Sequence, residues 1–92
     1  MQHYTRSFIE YQIRTNDIWL EHAVSAMYRR QRQHMIAGVI QLNRGFDRGG
    51  DAILCGFAQQ LRTRHLTPKQ LKIARQLLPR YAGQLTLMAN NA

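Results

Sequence analysis

Ninety-two residues bound the chain to one small domain, near the lower size limit for folding on a single core. A hydrophobic content of 45% excludes disorder throughout, and the longest apolar runs, such as Met35 to Ile40, exclude a membrane span. The net charge of +8 is unevenly placed: the 41 residues after Asp51 carry six Lys or Arg and no Asp or Glu. The natural partners of such a one-signed half are polyanions or strongly acidic protein surfaces.

Residues 1–14 hold the only strand-like pattern. Ile9, Tyr11 and Ile13 alternate with Glu10, Gln12 and Arg14, the period of two of a half-buried strand, with Ser7 and Phe8 blurring its start. Thr15-Asn16-Asp17 then signals a helix start, with Asn16 as cap and Asp17 and Glu21 at the positive end of the macrodipole. Leu20, Ala23, Val24, Met27 and Tyr28 follow at helical spacing, with Trp19 beside them, and Arg29, Arg30 and Arg32 fall at the C-terminal side. After polar Gln31 to His34, an apolar pattern resumes from Met35 to Leu42. It fits a second helix, a continuation of the first or a short buried strand, and Met35, Val39 and Leu42 favour a helical face.

Asn43 to Gly50 reads as a loop, with Gly45, Gly49 and Gly50 supplying backbone freedom. Asp51 is placed to cap the next helix, on which Ile53, Leu54, Phe57, Ala58 and Leu61 share one arc and which runs to about Arg64. Thr67, Pro68 and Gln70 form a capping box. The helix behind it turns Leu71, Ala74 and Leu78 inward and Lys69, Lys72, Arg75 and Arg80 outward, with Gln76 between them. Pro79 kinks or restarts that helix. Tyr81, Leu85 and Met88 continue the spacing past Gly83, and residues 89–92 read as a frayed tail. The fold class is mainly α, a small helical bundle forming a single domain over residues 1–92. An N-terminal strand or hairpin, and with it α+β, is the alternative.

Enzyme chemistry finds little support. His3, His22, His34 and His65 are scattered and Cys55 has no sulfur or imidazole close in sequence, so neither a metal site nor a cofactor is expected. Cys55 between Leu54 and Gly56 reads as a small buried thiol. Asp47 and Asp51 are explained by turn and cap, and Arg48-Gly49-Gly50 is too short for a phosphate-cradling loop. No secretory signal is read, and a lone cysteine suits a reducing cytoplasm. No membrane and no small-molecule substrate are expected.

The basic elements remain as candidate binding residues: Arg29, Arg30 and Arg32 in one cluster, Lys69, Lys72, Arg75 and Arg80 along one helix face, and Arg62 and Arg64 before it. Arg44 and Arg48 flank Phe46, the aromatic best placed to stack on an unpaired base. Arginine forks match phosphate geometry, and interleaved glutamines reach phosphates, sugars or bases. If about six to eight of these charges met phosphates, the salt slope of binding would be about −5 to −7. Residues 52–64 and 68–78 also have the spacing of a helix-turn-helix, although Pro68 and Pro79 bracket a short recognition helix and the small-residue turn is missing.

Asn43 to Asp47, Asp51, Phe57 to Leu61, Leu66 to Gln70 and Leu77 to Leu85 together resemble a small module of phage and mobile-element proteins. That module accompanies helicase- and primase-like DNA-processing enzymes. The resemblance covers about half of the chain, and the asparagine-glycine run usual before the phenylalanine is altered to Leu42-Asn43-Arg44-Gly45. In size and character the whole chain is similar to the phage-encoded anti-CRISPR proteins that inhibit type I-F systems. That resemblance implies a protein of the host bacterial cytoplasm that is not an enzyme. It would bind the Cas proteins and guide RNA of the type I-F (Csy, Cascade-like) surveillance complex and block hybridisation of target DNA with the guide. Arg29, Arg30, Arg32 and the 69–80 face would make the contacts. The alternative is a basic phage accessory protein that binds DNA or RNA directly through phosphates.

Overall fold

Thr5 starts the first helix, accepting from the Phe8 N–H at 3.1 Å. In the computed structural model, which describes residues 3–36 and 52–91, residues Arg6–Thr15 form α1. This corrects the strand expected here. Ile9 and Ile13 are fully buried while Tyr11 between them is 53% exposed. Two apolar residues four apart fit a helix face as well as alternate positions of a strand, and the Thr5 cap decides between them. The described residues contain no strand.

Asn16 ends α1 and begins α2 (Asp17–Ile36) in one position. Its N–H donates to the Gln12 carbonyl at 2.9 Å, its carbonyl accepts from Leu20 N–H at 2.9 Å, and its side chain accepts from Trp19 N–H at 3.0 Å. The cap is as the sequence implies, but the residue serves both helices. Leu20, Ala23, Val24 and Met27 are buried along α2. The polar stretch from Gln31 does not interrupt the helix, so Arg29 and Arg30 lie in its interior rather than at its end. The expected path of Met35 to Leu42 beyond Ile36, the loop 43–50 and the cap at Asp51 lie outside the described residues.

Helix α3 (Ala52–Gln60) buries Leu54, Phe57 and Ala58. Ile53, expected in the same arc, is 50% exposed. The helix also ends earlier than expected. The N–H groups of Thr63 and Arg64 both bond to the Gln60 carbonyl, and the Thr63 hydroxyl donates to it as well. The Arg64 bond keeps the helical spacing of four, whereas Thr63 N–H, and Arg62 N–H to the Gln59 carbonyl, reach back only three residues, the tightened bonding of a helix end. The connection to α4 therefore comprises residues 61–67, longer than a helix-turn-helix requires.

Helix α4 (Pro68–Leu77) carries the expected capping box in full: Gln70 N–H donates to Thr67 Oγ1, and Thr67 N–H to Gln70 Oε1. Ala74 is buried under it. At Pro79 the chain tightens into a 3-10 turn (Leu78–Tyr81) and then restarts as α5 (Ala82–Asn91). Leu78, Tyr81, Ala82 and Leu85 are buried, and side chains from every helix join one cluster centred on α2. Fully burying a side chain of this size stabilises by about 1.5–3 kcal/mol. The expected frayed tail is instead helical to Asn91, with the Asn90 side chain bonded to the Tyr4 backbone. No described helix is long and apolar enough to cross a membrane.

Candidate polyanion-binding surface

The capping box places Lys69 and Lys72 on the exposed side of α4, because Ala74 and Leu78 face the core. Arg80 is exposed on the 3-10 turn that contains Pro79. Arg62 and Arg64 stand exposed on the 61–67 connection, and Arg29 is exposed on α2. Arg14, which the pattern alone did not single out, is exposed at the end of α1. None of these seven makes an ion pair among the described residues.

Arg75 departs from the outward face expected for it. Its guanidinium pairs with Asp17 and donates from Nε to the Arg14 carbonyl at 3.0 Å, leaving the side chain 25% exposed. It joins α4 to the α1–α2 corner. Arg30 is half-buried, and its Nε has no hydrogen-bond partner among the described residues. The side chain of Arg32, and all of Arg44, Phe46 and Arg48, lie outside the described residues.

The acids are as informative as the bases. Glu10 pairs with Arg6 at 3.0 Å, Asp17 with Arg75, and Glu21 with His65 at 2.8 Å. Glu21 does more than favour a helix start. It is 7% exposed, and its Oε2 accepts from the Leu66 N–H at 2.8 Å, satisfying a backbone group that the 61–67 connection would otherwise bury unpaired. Its Oε1 meets Nδ1 of His65. The sequence shows Glu21 only as an acid in the second turn of a helix, since its partners lie 44 and 45 positions away.

Cys55 is half-buried against the core. Among the described residues no three of His, Cys, Asp or Glu are grouped to hold a metal ion. Phe8 and Tyr11 are 40% and 53% exposed, and Phe8 packs beside Tyr4 with ring centroids 5.5 Å apart. No protein-family model matches the chain, and no match was found among curated proteins or solved structures.

Proposed function

We propose that the protein works by binding rather than catalysis, setting its exposed cations against nucleic-acid phosphates. The observation that carries this reading is the pairing pattern. All three described acids are held in contacts within the fold, while Arg14, Arg29, Arg62, Arg64, Lys69, Lys72 and Arg80 are exposed and outside any described ion pair. Each such cation that meets a phosphate releases counterions.

The partner implied by resemblance is the type I-F surveillance ribonucleoprotein in the host bacterial cytoplasm. In this reading the protein lies across the path where target DNA would pair with the guide, touching Cas subunits and guide RNA. Direct, sequence-independent attachment to DNA or RNA is the second reading. It is favoured by the spread of the cations over α2, the 61–67 connection and α4, which suits a backbone better than a single small ligand.

Mixing the protein with purified type I-F complex, and separately with naked DNA, tests both. Near-stoichiometric association with the complex at physiological salt, with DNA left free, supports the inhibitor. Binding to naked DNA alone, with a steep salt slope, replaces it with the accessory DNA-binding protein. Absence of both, with nucleic acid unbound even at low salt, overturns the nucleic-acid reading.

A further inference from the structure

Between Gln60 and Gln70 the chain closes on itself. The two side-chain amides bond reciprocally at 2.9 and 2.8 Å, and Gln60 Nε2 also donates to the His65 carbonyl at 3.1 Å. This fastens both ends of the 61–67 connection, on which Arg62, Arg64 and His65 are exposed, with Lys69 exposed just beyond it in the first turn of α4. His65 differs from the other three in being held from behind. Its Nδ1 lies 2.8 Å from Glu21 Oε1, and that carboxylate is itself fixed by the Leu66 N–H.

An ionised carboxylate only accepts hydrogen bonds, so this contact keeps a proton on Nδ1. The His65 side chain is 87% exposed, and Nε2 is the nitrogen left for a ligand. In the neutral ring, Nε2 is then a bare acceptor that repels a phosphate oxygen. Protonation turns the same atom into a charged donor.

We propose that the 61–67 connection with the first turn of α4 is a phosphate site for a nucleic-acid backbone in which Glu21 positions His65 and the protonated ring donates from Nε2 to a phosphate oxygen. Arg62, Arg64 and Lys69 supply the flanking charge. The proposal rests on the nucleic-acid reading of the basic surface and adds a named contact to it. Glu21 from α2 is the ionisable group in contact with His65 among the described residues; Arg62 and Arg64 stand exposed on the same connection, and Lys69 and Lys72 on α4. His22, exposed beside Glu21 in α2, is a second histidine and serves as the control.

The experiment follows binding of the full chain to a short DNA duplex at low salt, at about pH 7.5 and about pH 5.5. Acidification is expected to tighten binding about tenfold, the size of one charged hydrogen bond, and to steepen the salt slope by about 0.9. His65→Gln should lose that gain while binding unchanged at the higher pH, and His22→Gln should keep it. In Glu21→Gln the amide donates to Nδ1, which moves the neutral proton to Nε2, so affinity at the higher pH should rise toward the acid value. Nitrogen-15 NMR of the free protein should find neutral His65 protonated at Nδ1, a readout that needs no ligand. A full acid gain in His65→Gln, or a neutral ring protonated at Nε2, overturns the proposal and leaves the nucleic-acid reading standing. Failure to bind the duplex at either pH overturns the loop site and direct attachment to DNA, and leaves the surveillance complex as the partner to be tested.

Discussion

The side-chain amide of Asn90 engages both backbone polar groups of Tyr4, accepting from its N–H at 2.7 Å and donating to its carbonyl at 2.9 Å. Two positions 86 apart in sequence are joined in this way, and the contact seats α1 against α5. Asn90→Ala removes both bonds from a half-buried site and should cost about 1–3 kcal/mol. Asn90→Asp keeps the acceptor and loses the donor, so it should fall between. Urea unfolding of the three proteins checks the order, and an unaltered midpoint in Asn90→Ala would remove this closure from the account of stability.

Helix and strand predict different burial at the N-terminus. Ile9→Ala and Ile13→Ala should each cost about 2–5 kcal/mol, as large-to-small changes at fully buried positions do. Tyr11→Ala, on the exposed side, should shift stability by no more than about 0.5 kcal/mol. A strand would bury all three on one face, so a large loss in Tyr11→Ala contradicts the helix.

What the sequence reveals here depends on how far each interaction reaches. The capping box of Thr67 and Gln70 is legible because its partners are three residues apart, and Pro79 because its effect is on its own turn. The Asn16 cap is legible for the same reason. The period at Ile9 and Ile13 is ambiguous, since a spacing of four belongs to both helix and strand. Arg75 looks like a member of the outward row until Asp17, 58 positions earlier, is placed beside it. Glu21 is hidden in the same way, and with it the His65 contact.

Charge on the surface and charge within the fold should separate experimentally. Arg75→Gln removes a partly exposed ion pair and a bond to the Arg14 carbonyl, so it should cost about 1–2 kcal/mol in stability. It should leave the salt slope of nucleic-acid binding unchanged. Lys69, Lys72 and Arg80 changed together to Gln should do the reverse, keeping stability and lowering the slope by about 2.7 if all three meet phosphates. Salt titrations beside thermal unfolding check both, and an unchanged slope in the triple variant would take this face out of the binding surface.

The α4 start links a cap to the Gln60 amide. Thr67→Ala should cost about 1 kcal/mol. Gln70→Ala loses the reciprocal half of the box and the pair with Gln60, and should cost at least as much. Circular dichroism with denaturant tests this, and a Gln70→Ala loss well below that of Thr67→Ala would show that the glutamine pair contributes nothing.

Gly56 lies inside α3 in a conformation open to other residues, and a methyl group built there meets nothing within 4 Å. Gly56→Ala should therefore stabilise by about 0.4–1 kcal/mol, mainly by restricting the unfolded chain. A lower melting temperature in this variant would mean that the glycine serves something outside the described contacts.

Asn16 has a consequence for how the protein opens. Its N–H belongs to the last turn of one helix, and its carbonyl and side chain to the first turn of the next. Loosening the end of α1 releases the acceptors that hold Trp19 and Leu20, so the two helix ends should unzip as one cooperative unit. In native-state hydrogen exchange the amides of Asn16, Trp19 and Leu20 should share one opening free energy, although they sit in different helices.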